Sequence, residues 1–136
     1  RYVKFTKGVE TVKPHTVEDD EEASKVFDEA IEAVIEGYQK LLEMGIPAED
    51  ARYLLPNAAE TKIVITMNIR ELLHFFILRC CNRAQWEIRE LAHKMLELVK
   101  PTAPYIFMDA GAPCVRGNCP EGKMTCGNPY PKVVRD

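Results

Sequence analysis

The sequence predicts an α+β fold that is mostly helical, with one strand that completes a mixed sheet with upstream sequence or another subunit. Three observations lead there. Two long stretches repeat apolar residues at three- and four-residue steps, the signature of amphipathic helices. A short run rich in β-branched residues lies between them. That single strand cannot satisfy its own backbone groups, so its partners must come from elsewhere.

Residues 1–16 show no clean periodicity, and Pro14 discourages a helix there. The acidic run Glu18 to Glu22 then opens a long helix at about 18–44. Carboxylates in a first turn suit the positive end of the helix dipole. Phe27, Ile31, Val34, Tyr38 and Leu41 form its apolar stripe, Gly45 stops it, and Pro47 starts a short helix ending near Leu54. The run Thr61-Lys62-Ile63-Val64-Ile65-Thr66-Met67 reads as a strand at about 60–67. Asn68 then caps a helix at about 69–79, with Glu71 placed as in a capping box. Leu72, Leu73, Phe75, Phe76 and Leu78 make it apolar on most sides, which predicts burial. Cys80-Cys81-Asn82 breaks the chain. A helix at about 83–99 follows, striped by Ala84, Ile88, Leu91, Met95 and Leu98 and closed by Pro101. Residues 111–136 form a Gly/Pro/Cys-rich tail.

Size and composition are those of one ordinary domain: 136 residues, 46% apolar and 29% charged. With 18 basic and 21 acidic side chains, bulk binding of a nucleic-acid polymer is disfavoured. No apolar run approaches the roughly 20 residues that cross a bilayer, and no signal-peptide pattern opens the chain, which together point to the cytoplasm. The opening Arg1-Tyr2-Val3 does not read as a natural start, and the chain is expected to be the C-terminal part of a single catalytic domain.

Polar chemistry concentrates between Arg52 and Glu87. Arg70 and His74 are four apart and share a helix face, and Arg79 ends that helix. Few carboxylates lie nearby (Glu60, Glu71, Glu87), so several arginines point to an anionic ligand held by their planar forks. Each also has a plainer role. Asn68 serves as a cap, Arg79 complements the helix dipole, and His74 is a core histidine.

Three spaced motifs then add to that reading: Ala51-Arg52-Tyr53-Leu54-Leu55-Pro56; Asn68-Ile69-Arg70 with Leu78-Arg79; and Ala84-Gln85-Trp86-Glu87-Ile88. In order and separation they resemble the flavin-dependent thymidylate synthase family, strongly over residues 51–90. The resemblance implies reductive methylation of dUMP to dTMP, with FAD as cofactor and methylenetetrahydrofolate and NADPH as co-substrates. It further implies a homotetramer with active sites shared between subunits. By position, Arg79 is implied as the catalytic arginine that holds the uracil ring, and Arg52 as a dUMP-binding arginine. Asn68, Ile69 and Arg70 are implied as FAD contacts, as is His74, where many relatives have asparagine. Arg1-Tyr2 resembles the close of the family's Arg-His-Arg and Ser-x-Arg-Tyr signature, which implies that Arg1 binds the dUMP phosphate. The remainder of that signature is absent, so residues 1–136 alone are not expected to turn over.

The five cysteines are Cys80, Cys81, Cys114, Cys119 and Cys126. An odd count argues against a full disulfide framework, and the lack of Cys-x-x-Cys argues against a thiol redox protein. Unliganded surface thiols are the first expectation. A zinc site built on Cys114, Cys119 and Cys126, with Cys80, Cys81 or His93 as fourth ligand, is the second, and a disulfide the third. The alternative to the enzyme is a helical interaction module with a Cys-rich, metal-binding tail, in which Arg52, Arg70 and Arg79 pair with internal carboxylates.

Overall fold

A computed structural model describes residues 9–133. Its packing divides into two compact units, one up to Val64 and one from Ile65 onward. The fold is mostly helical.

In the first unit, α1 (His15–Glu18) is one turn and α2 (Glu21–Glu43) is the longest helix. The expected helix at 18–44 is thus interrupted at Asp19 and Asp20. Asp20 is the residue that caps, its side chain accepting the Ala23 N–H at 2.9 Å. Along α2 the predicted stripe faces inward, with Tyr38 only 1% exposed. Its partners are α3 (Ala48–Ala51) and the 3-10 turn Arg52–Leu54, which continues α3. Lys13 ties the preceding segment to α2, donating to Ser24 Oγ at 2.7 Å and to Asp28 Oδ2 at 2.8 Å.

The end of α2 is a Schellman turn. Gly45 N–H donates to Leu42 O and Ile46 N–H to Leu41 O, both at 3.0 Å, with Gly45 at φ 84°. No atom crowds a β-carbon added at Gly45, so a side chain there costs only the left-handed backbone. Gly45→Ala should lower stability by about 1 kcal/mol, read as a shift in the urea midpoint.

The strand expected at 60–67 is not formed among the described residues. Antiparallel pairing is confined to one bridge just before it, between Thr11 and Ala59, flanked by Val12 N–H to Ala58 O and Glu60 N–H to Glu10 O, each at 2.8 Å. Residues 61–68 run without a ladder, and Ile63, Val64 and Ile65 are 76%, 98% and 61% exposed. β-branched composition favours extension, but a ladder needs a neighbour, and no described segment supplies one.

The second unit is built on α4 (Ile69–Arg79) and α5 (Trp86–Val99), followed by α6 (Pro104–Phe107) and two 3-10 turns, Pro113–Val115 and Gly122–Met124. Phe76, Cys80, Ala92, Leu96, Phe107 and Ala112 make the core, with Phe76 and Phe107 edge to face at 6.4 Å. α4 keeps its expected bounds but not its expected burial. Phe76 alone on it is fully buried, while Ile69 and Leu78 are about half exposed. α5 starts at Trp86 rather than near Arg83, because Gln85 Oε1 caps it by accepting the Glu87 and Ile88 N–H groups at 3.0 and 3.1 Å. Its buried line is Ala92 and Leu96 with Val99 half-buried, not the expected stripe, of which Leu91 and Leu98 face outward. No helix of the described residues is long and apolar enough to cross a membrane.

Candidate active site

α4 carries most of the candidate site, and its N-terminus is set by Asn68. That residue is extended (φ −76°, ψ 165°), and its Oδ1 accepts the Glu71 N–H at 3.0 Å, the cap the sequence predicted. Unsatisfied N–H groups and the helix dipole make this end locally positive. Arg70 and His74 add basic side chains next to it, about 40° apart around the axis at 100° per residue. Both are exposed, and neither has a hydrogen bond or ion pair among the described residues.

Arg79 lies at the other end of α4, exposed and likewise without a polar partner among the described residues. Of the three arginines that the interaction-module alternative pairs with internal carboxylates, Arg70 and Arg79 have no such pairing among the described residues. The two arginines do not share one narrow face. They are nine positions apart, which places them about 180° apart around the axis and about 13 Å apart along it. They stand at opposite flanks of the exposed side. The helix offers two cationic positions rather than one cluster.

Arg52 belongs to the first unit. It is half-buried in the 3-10 turn after α3 and lines an open cleft of about 510 Å³ with Leu55, Pro56, Asn57, Ala59, Glu60 and Thr61. Arg1 lies outside the described residues.

The turn between α4 and α5 is held by residues that the sequence reading passed over. Tyr130 O–H donates to Asn82 Oδ1 at 2.7 Å, and Asn82 Nδ2 donates to Asn128 O at 2.8 Å. Burial raises the Tyr130 pKa above the ordinary phenol value, which keeps that donor proton in place. Since the hydroxyl's one hydrogen goes to Asn82, the 3.1 Å contact to His93 Nε2 requires the histidine to donate. Arg89 donates to Asn82 O at 2.9 Å, and Arg83 donates to Met124 O. No sequence signal marks Tyr130, whose partner is 48 positions away.

The cysteines divide by environment. In the tail Cys114 is buried, Cys119 half-buried and Cys126 exposed, so the expectation of surface thiols fails for Cys114; Cys80, before the tail, is buried as well. Burial raises the Cys80 pKa to about 11, slightly offset by Lys100, so this residue is a neutral thiol packed in the core.

Comparison with known proteins shows which family the chain is similar to. Residues 1–105 match the family described as thymidylate synthase complementing protein. A flavin-dependent thymidylate synthase of Geobacter sulfurreducens is 59% identical over 128 residues, covering 93% of this chain and 55% of the relative. That of Clostridium tetani is 45% identical over 143 residues, covering 93% and 57%. That of Sulfurisphaera tokodaii is 49% identical over 114 residues, covering 82% and 44%. The chain thus spans about half the length of the curated relatives it matches. On a match over residues 1–105, and on identities this high across most of its length, the chain belongs to the thymidylate synthase complementing protein family.

Proposed function

We propose that the intact protein is a flavin-dependent thymidylate synthase, a methyltransferase that converts dUMP to dTMP. The observation that carries this reading is the 59% identity to the Geobacter sulfurreducens enzyme over 93% of the chain. The alternative of an interaction module finds no support among these relatives, each of which is named as an enzyme.

The charge and placement of several residues support this reading. Asn68, Ile69 and Arg70 sit at the positive end of α4, with exposed His74 one turn on, and would hold FAD through its anionic and hydrogen-bonding groups. FAD, when bound, supplies the redox and one-carbon carrier chemistry, with methylenetetrahydrofolate giving the carbon and NADPH the reducing equivalents. Arg79 would lie beside the uracil ring. A fixed guanidinium there favours loss of the N3 proton, raises electron density at C5, and stabilises the anion without reorganising. Arginine suits that place because it stays charged where a lysine could lose its proton. Arg52 would contact dUMP, and Arg1 its phosphate from a neighbouring subunit.

Further parts of the reading are a homotetramer with shared active sites, a single catalytic domain containing this chain, and a cytoplasmic setting. The exposed Ile63, Val64 and Ile65 support the assembly, because an extended apolar run with open backbone groups suits a strand added to a sheet from upstream sequence or another subunit. The intact protein should purify yellow and form dTMP from dUMP, methylenetetrahydrofolate and NADPH, followed by chromatography of the nucleotides. A colourless protein that yields no dTMP under these conditions refutes the assignment.

A further inference from the structure

We propose that Cys81, Cys114, Cys119 and Cys126 form a structural zinc site that staples the tail to the turn between α4 and α5. These four side chains, from separate stretches of the second unit, line one cavity of about 10 Å³. That is room for a single water-sized body. Four thiols around a space for one small body are the donor set for Zn²⁺, which is soft enough for sulfur and prefers four ligands in a tetrahedron at about 2.3 Å. On binding, the four thiols release their protons to solvent and the centre carries a net charge of about −2. Arg83 and Glu121 line the same cavity, one charge of each sign.

The tail is held by the hydrogen bonds of Tyr130, Asn128 and Met124 to the turn between α4 and α5 and has little apolar core of its own. No residue from Val115 to Val133 is fully buried, and its regular structure beyond the Pro113–Val115 turn is the single 3-10 turn Gly122–Met124. A short segment without a core needs a cross-link or a metal to stay in one conformation. Donors already face two of the sulfurs: Tyr130 N–H meets Cys114 Sγ at 3.3 Å, and Asn82 Nδ2 stands 4.0 Å from Cys126 Sγ. The Cys126 thiol itself donates to Asn128 O at 3.4 Å, a bond that metal binding would replace. Hydrogen bonds donated to sulfur support thiolate ligands.

Among the described residues no three metal-binding side chains converge tightly enough to grip an ion. Zinc must therefore draw the thiols together. Cys119 is half-buried and Cys126 exposed, on a loop where no residue is fully buried, so their shift would disturb no packed core. The remaining candidates fall away on geometry. Cys80 does not line the cavity, and the His93 ring is engaged by Tyr130. The family match ends at residue 105, before three of the four ligands, so this site goes beyond the methylation reading.

The test is metal analysis of the intact protein, purified without chelator. About one zinc per chain is expected. Cys119→Ser and Cys126→Ser should each reduce it to about one-tenth or less, whereas Cys80→Ala should retain it. Should a variant fail to fold, the unaltered protein stripped with a chelator and titrated with Co²⁺ should develop the visible bands of tetrahedral thiolate coordination. Absence of both zinc and those bands overturns the site, as do variants that keep full zinc, or a native disulfide joining two of the four. A yellow, dTMP-forming protein without zinc would sink this site alone. A colourless zinc protein would uphold it and sink the methylation reading.

Discussion

Arg79→Ala in the intact protein should lower dTMP formation by about 10²–10³-fold, the usual loss when one fixed donor to a developing anion is removed. Flavin content should be unchanged, because the residues proposed to hold FAD cluster at the opposite end of α4, about 13 Å along the axis. The melting temperature should also hold. Arg79 is exposed and has no polar partner among the described residues, so its removal leaves no buried group unsatisfied. Only the small dipole contribution of a cation at a helix C-terminus is lost, about 0.3–1 kcal/mol. The decisive comparison is turnover per bound flavin. Normal turnover in the variant would remove Arg79 from the proposed chemistry, and a colourless variant would show that it acts on flavin binding instead.

Phe76→Ala should be the most damaging single change to the second unit. Phe76 is fully buried, lies at the centre of the α4–α5 core, and meets the ring of Phe107 edge to face. Deleting a buried aromatic loses its transfer free energy and leaves a cavity, together about 3–5 kcal/mol. Chemical denaturation of the intact protein should show this as a lower midpoint. A loss below about 1 kcal/mol would mean that the core can collapse around the gap, at odds with the close packing at Phe76.

Legibility in the sequence followed how local the determining interaction was. α4 could be read to the residue because its cap, Asn68, acts three positions away on Glu71. Gly45 marked the end of α2 for the same reason. The start of α5 was misread because its cap is Gln85, outside the usual set of Ser, Thr, Asp and Asn. In the acidic run, composition announced a helix but could not select Asp20 over its neighbours as the cap. The stripe on α5 was read one line off, since apolar residues cover an arc wider than its packed face. Periodicity counts them all and cannot say which meet their own chain. Of the candidate site, the placement of Arg70, His74 and Arg79 on one helix was legible from spacing. Their exposure was not, because an apolar helix reads as buried whatever covers it. The Asn82–Tyr130 bond leaves no mark in sequence, as it joins two loops with no period.

The half-turn offset between Arg70 and Arg79 gives α4 a second property, that of a ruler. A continuous backbone ladder locks both the angle and the span between its two ends. One residue inserted or deleted between His74 and Arg79 would swing the arginine by about 100° and shift it by about 1.5 Å. A loop could absorb such a change, whereas a hydrogen-bonded cylinder transmits it whole. Length in this helix is therefore as constrained as the identity of the side chains it carries.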